Sequence, residues 1–244
     1  MEKFGMEKHT SRQFDVELED VREQVLAMGG LVEQQIADGV RALVEGDSEL
    51  GEQVTRNDYR INRMDVEIDE HCTRILSRRQ PQARDLRLVL AITKTVTDLE
   101  RIGDEAEKIG RMAVQLASQE RPRSAMQQVE ELGRRVREMV REALDTFARM
   151  DPESAVLVAQ TDARVDRDYE GLLRQCITFM MEDPRSIRHV FDVLWAAKAL
   201  ERIGDHATNI VEYVIYFVHG KDVRHTSVED MEKELAANAQ HPHG

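Results

Sequence analysis

The sequence predicts an all-α protein, built as two tandem three-helix bundles related by an internal repeat. Three observations carry this. Apolar residues recur every three or four positions along almost the whole chain, the spacing of a single helix face. Strand and turn formers are scarce: aromatics are 5% of the 244 residues, with 5 prolines and 13 glycines, a poor composition for sheets joined by tight turns. The third is that the apolar series of the first half returns in the second.

The first helix is predicted from Phe14 through Leu18, Val21, Val25, Met28, Val32, Ile36, Val40 and Leu43. Gly46, Asp47 and Ser48 end it, since Gly and Asp favour caps and turns. A second series, Val54, Ile61, Ile68, Cys72 and Ile75, stops before Gln80-Pro81. A third runs Leu86, Val89, Val96, Leu99, Ile102, Ala106 and Ile109, and Arg121-Pro122 closes that segment. Three more follow, Val129 to Phe147, Val158 to Phe179 and Ile187 to Val218. Asp151-Pro152 and Asp183-Pro184 separate them, each pair supplying an N-cap and a proline for the first helical position. Val25, Val32, Asp47, Asp58 and Cys72 return 104 residues later as Val129, Val136, Asp151, Asp162 and Cys176. Past the Pro81 and Pro184 loops Arg87, Val96 and Leu99 fall on Arg188, Ala197 and Leu200. Two units result, residues 11–119 and 121–219, followed by a polar tail, 220–244. Long helices with short connections fold back as antiparallel neighbours.

Forty-seven acidic against 34 basic residues give a net charge of −13. That excludes a general electrostatic attraction to nucleic acid or anionic lipid. Two cysteines make no disulfide framework. The start, MEKFGMEKHTSRQF, has no apolar run of a secretory signal. The longest apolar stretch, Val211 to Val218, is broken by Glu212 and too short to span a bilayer. A soluble cytoplasmic protein is expected.

The sharpest motif occurs twice in register, Glu100-Arg101-Ile102-Gly103-Asp104 and Glu201-Arg202-Ile203-Gly204-Asp205. Glu and Asp at i and i+4 share a helix face. They flank the apolar stripe and so border a helix–helix contact. Like charges four apart repel by a few tenths of a kcal/mol, and a mid-helix Gly costs about 1 kcal/mol relative to Ala. A bound cation reverses the first penalty, and a close neighbour helix explains the second. The second helix of each unit offers further ligands, Asp58 and Asn62, then Asp162 and Asp166. An oxygen-only set suits hard cations such as Mg²⁺, Mn²⁺ or iron.

A salt-bridged surface is the competing reading, with Arg101 and Arg202 neutralising the carboxylates. Cys72 and Cys176 lie in the apolar stripes and are read as core residues. His206 is read as a surface histidine, with metal contact as the alternative. Arg78, Arg79, Arg84 and Arg87 are read as a solvated loop, with docking of an acidic partner or anion as the alternative. Val211 to Val218 is read as buried helix. No phosphate-binding Gly loop, nucleophile elbow, His-Glu-x-x-His or Glu-x-x-His pattern occurs.

The stretches MGGLVEQQI, RQPQARDLRLV, DLERIGDEA, ARMD, MMEDPR and ALERIGDHATNIVEY resemble the PhoU family over residues 1–230. The resemblance implies tandem three-helix bundles of spectrin-repeat-like topology and a homodimer. It implies metal sites at a Glu/Asp-x-x-x-Asp motif, which maps onto Glu100 and Asp104 and onto Glu201 and Asp205. Mg, Mn, Fe or Zn would be the ion. Asn209 follows Asp205 by four residues where Lys108 follows Asp104, which sets the two copies apart. The resemblance further implies no enzymatic activity and no nucleic-acid partner. It implies repression of phosphate-starvation signalling, restraint of phosphate uptake, and a bridge between the phosphate ABC transporter ATPase and a sensor histidine kinase. Membrane association would come only through those partners. Two other classes are a passive helical scaffold without metal and a di-metal carboxylate oxidase or hydrolase.

Overall fold

A computed structural model describes residues 4–119, 123–223, 226 and 230–231, with side chains from residue 13 onward. Six α-helices account for nearly all of them: α1 Phe4–Glu45, α2 Ser48–Arg79, α3 Ala83–Leu116, α4 Arg123–Arg149, α5 Pro152–Glu182 and α6 Ile187–His219. Helices α1, α2 and α3 pack on one another, as do α4, α5 and α6, and the two sets meet along α3 against α6 and α1 against α4. Among the described residues no helix is long and apolar enough to cross a membrane.

Local chemistry sets the helix ends. Asp47 Oδ1 accepts from the Leu50 amide at 2.9 Å and starts α2. Asp151 accepts from the Glu153 amide at 3.0 Å and the Ser154 hydroxyl at 2.6 Å, with Pro152 opening α5. Each satisfies amides that a helix start leaves without intrahelical partners. Gly220 closes α6 at φ 70°, its amide returning to Tyr216 O at 2.9 Å. Two ends differ from the sequence reading. Helix α1 begins ten residues before Phe14. Asp183 and Pro184 start a 3₁₀ turn, Pro184–Ser186, which then runs into α6.

The apolar stripes fill the core. Val25, Met28, Val32 and Ile36 of α1 are fully buried, as are their repeat partners Val129, Val136 and Val140. Leu132, the partner of Met28, is 1% exposed. Val211, Val214, Ile215 and Phe217 are buried too, and the exposed aromatics of α6 lie upstream, at Phe191 and Trp195. The segment after Gly220 departs from the polar-tail reading, because Val223 and Met231 are buried against the core. Most of the remainder of 220–244 lies outside the described residues.

Helices α2 and α3 approach through glycine. A Cβ on Gly51 would sit 2.8 Å from Gly110 O, and one on Gly110 would sit 3.0 Å from Gly51 O. Backbone cannot move aside as a side chain does. Gly51→Ala should therefore lower stability by about 1–3 kcal/mol through overpacking. Gly171→Ala, with nothing within 4 Å of the new methyl, should raise it by about 1 kcal/mol through helix propensity. Thermal melts that move in the same direction would refute the close-approach account.

Candidate metal centre

Gly103 and Gly204 bring the second and third helices of each unit together. A Cβ on Gly103 would lie 3.3 Å from Asp58 Oδ1, and one on Gly204 would lie 3.1 Å from Asp162 Oδ1. The missing methyl lets one carboxylate from α2 or α5 reach the Glu-x-x-x-Asp turn of α3 or α6. Asp58 thus joins Glu100 and Asp104, and Asp162 joins Glu201 and Asp205, as the spacing suggested. Beyond that the copies diverge.

In the second copy, carboxylate oxygens of Asp166, Glu201 and Asp205 lie within 4.8 Å of one another. Asp162 stands beside them, its Oδ1 sealed from solvent with no hydrogen-bond donor. Its carboxyl is pushed up to about 7, first by burial and then by the charges of Asp166, Asp205 and Glu201. A long or bent hydrogen bond from the Thr208 hydroxyl tempers the rise; neither its Oγ1 nor Asp162 Oδ1 has a partner of normal geometry. Burial and the Glu201 charge also raise Asp166 and Asp205. Lys198 is the compensating cation, with Nζ 2.6 Å from Glu201 Oε1. This concentration of negative charge, with Asp166 and Asp205 open to solvent, is of a chemistry that suits a hard divalent ion.

The first copy is quieter. Asn62 Nδ2 donates to Asp58 Oδ2 at 2.9 Å, and Gln35 Nε2 of α1 donates to Asp58 Oδ1 at 3.1 Å. Burial is the main cause raising Glu100 and Asp104, reinforced by Asp104 and Asp65 at Glu100 and by Asp58 at Asp104. Among the described residues no second trio of carboxylates converges as Asp166, Glu201 and Asp205 do.

Several sequence readings change here. Arg202 does not neutralise Glu201 or Asp205; its Nε reaches Glu105 of α3 at 3.2 Å. Lys108 also pairs with Glu105, at 2.9 Å, leaving Asp104 without a direct ion pair. His206 is neither a surface residue nor a member of the carboxylate trio. It is buried, and its Nδ1 lies 2.7 Å from Asp98 Oδ1. Asn209 joins the same oxygen at 3.1 Å, and the Tyr213 hydroxyl donates to Asp98 Oδ2 at 2.8 Å. Arg79 forks onto Glu17 at 2.6 and 3.0 Å and holds that carboxyl below its ordinary range. Arg84 lies over the Phe217 ring, and Arg87 Nε donates to Phe217 O at 3.3 Å. These arginines therefore brace the fold at the Pro81 loop. Cys72 and Cys176 are buried, and burial pushes the Cys176 thiol up to about 11, which makes both inert as nucleophiles at neutral pH.

Gln35, Asp98 and Met139 carried no motif. Each sits in or beside an apolar stripe, and their partners are distant in sequence. One signal was present: aligned across the repeat, Gln35 meets Met139 and Asp98 meets Ala199. A polar residue opposite an apolar one marks a place where the two units do different things.

Comparison with known proteins gives consistent results. A family model described as the PhoU domain matches residues 25–113 and again 129–214. The chain is 54% identical over 237 residues to the phosphate-specific transport system accessory protein PhoU homolog of Pseudomonas aeruginosa, covering 97% of this chain and 98% of that one. It is 46% identical over 236 residues to the accessory protein PhoU of Escherichia coli strain K12, covering 97% and 98%. The crystal structure of PhoU from Pseudomonas aeruginosa superposes with a TM-score of 0.83, over 85% of this chain and 100% of that one. The phosphate transport system regulatory protein PhoU from Streptococcus pneumoniae, 31% identical, gives 0.80 over 86% and 99%.

Proposed function

The chain belongs to the PhoU family, and from that membership we propose that it is a cytoplasmic negative regulator of phosphate uptake and phosphate-starvation signalling. In this reading it bridges the phosphate ABC transporter ATPase and a sensor histidine kinase, and touches the membrane only through them. The observation that carries it is similarity over nearly the whole length to proteins named as accessory to phosphate-specific transport. Recognition by helical surfaces, not turnover, does the work, and a homodimer is the assembly we assign.

Asp162, Asp166, Glu201 and Asp205 would hold a divalent or transition metal ion, Mg, Mn, Fe or Zn. The ion would supply positive charge joining α5 to α6 where the chain's own carboxylates repel. The convergence of Asp166, Glu201 and Asp205, with Asp162 beside them, is what supports this assignment.

A clean deletion tests the regulatory role. Phosphatase expression should rise in phosphate-rich medium, and affinity capture from membranes of phosphate-replete cells should return the transporter ATPase or the kinase. Unchanged repression in the deletion strain would sink the assignment.

A further inference from the structure

We infer that the groove between α1 and α4 binds a small organic phosphate, its phosphate on Arg41, Arg134 and Arg137 and its apolar body on the α1 floor. The groove has a volume of about 480 Å³, inside the range of roughly 300–1,000 Å³ of small-molecule sites. Its lining shares no residue with the carboxylate centre.

Glycine shapes this crossing. Gly133 of α4 admits Val40 of α1, since a Cβ on Gly133 would sit 2.6 Å from Val40 Cγ2. Ala37 and Val44, both half-buried, extend Val40 into an apolar floor. Three guanidiniums stand at the rim. Arg41 reaches Asp38 Oδ1 at 2.9 Å, and Gln34 Nε2 donates to Asp38 Oδ2 at 2.9 Å. Arg134 pairs with Glu138 at 3.0 Å, both side chains open to solvent, and such a pair contributes little and yields readily to a better acceptor. Arg137 makes no ion pair among the described residues. Asp38, Glu45 and Glu130 also line the groove, so its charge is balanced where the chain as a whole carries −13. An anion that the rest of the surface repels is admitted here.

The internal repeat shows that packing alone does not require these arginines. Gly29 receives Leu144 as Gly133 receives Val40, with the same 2.6 Å approach, so the α1–α4 crossing is built twice. On the other side Asp145, Gly30 and Glu33 stand where the repeat has Arg41, Arg134 and Arg137. Guanidiniums gathered on one side only point to a ligand there. One guanidinium fork satisfies a carboxylate, whereas the free oxygens of a phosphate monoester accept from several. Such an ester carries a charge of about −1.5 to −2 at neutral pH. The apolar floor asks for a carbon body as well, which inorganic phosphate lacks.

The experiment titrates phenyl phosphate into the full chain and follows it by ligand-observed NMR, with inorganic phosphate and benzoate as comparison probes. Phenyl phosphate should saturate with a Kd of roughly millimolar order or tighter, and each comparison probe should bind several-fold more weakly. Arg134→Gln with Arg137→Gln should weaken phenyl phosphate at least tenfold while circular dichroism stays that of the parent. Glu130→Gln removes an opposing rim charge, itself unpaired among the described residues, and should tighten binding. Arg149→Gln, outside the groove, should leave it unchanged. Absence of saturation by phenyl phosphate overturns the site. Saturation that the double arginine variant does not reduce puts the probe elsewhere and overturns it equally. Inorganic phosphate or benzoate binding as tightly as phenyl phosphate overturns the ligand class.

Discussion

Asp162→Asn should make the metal-free protein more stable at pH 8, against the usual expectation for removing a partly buried polar contact. Asp162 titrates at about 7 in the folded chain, against about 3.9 for an unperturbed Asp. The folded state therefore holds this proton more tightly than the unfolded state. Stability contributed by the protonated carboxyl is present at about pH 4 and is lost as pH rises toward 7. At pH 8 the charge sits among Asp166, Glu201 and Asp205. Because water reaches part of the side chain, the full linkage energy is discounted to about 1–2 kcal/mol, or roughly 2–8 °C in Tm for a chain of this size. The variant's Tm should also fall less between pH 5 and pH 8. It should not become flat, because burial raises Asp166 and Asp205 as well. Saturating Mn²⁺ should reverse the order, stabilising the parent by about 2.7 kcal/mol at a hundredfold excess over Kd and the variant by less. Melting curves in which the variant is the weaker protein at pH 8 without metal, with an equal pH slope, would remove the electrostatic account.

Asp98→Ala should cost more. Asp98 is 3% exposed and accepts from His206, Asn209 and Tyr213, all on α6. Removing the acceptor breaks all three bonds between the two units, and the buried His206 loses its carboxylate partner. Hydrogen bonds to a charged group contribute about 1.5–3 kcal/mol each and do not add fully, so a loss of about 3 kcal/mol is expected. Tm should drop by roughly 6–12 °C. Asp98→Asn keeps one acceptor oxygen but turns an NH₂ toward a donor, and should fall between parent and Ala. A denaturant midpoint for Asp98→Ala within experimental error of the parent would show that water already serves these groups.

How much of this was legible depended on whether a residue's partner was local. Helix stripes are local patterns, so Val25, Ile36, Val129 and Leu200 could be placed in the core from spacing alone. Asp58, Asp162 and the paired Glu-x-x-x-Asp motifs were found because two adjoining helices in register fix what can meet. The fate of His206 and Arg202 was not legible. Their partners, Asp98 and Glu105, lie on α3, about a hundred positions away, and only the packing of α3 on α6 brings them together. The readings for Arg79 and Arg87 failed for the same reason, since Glu17 and the Phe217 carbonyl are remote in sequence. Gln35 hid differently, as a polar residue beside Ile36 whose amide turns inward to Asp58.

The middle of the contact between α3 and α6 is lopsided: there α3 lends the acids Asp98 and Glu105, and α6 lends His206, Asn209, Tyr213 and Arg202, whereas near the start of α3 the direction reverses, with Arg87 donating to Phe217 O. Two such α3 faces set against each other would bring acid to acid, and two α6 faces would bring donor to donor. Neither face is self-complementary, although the halves that carry them are copies of one plan. At that patch each half is shaped to its counterpart, so the duplication has yielded two faces that differ in chemistry though they descend from one plan.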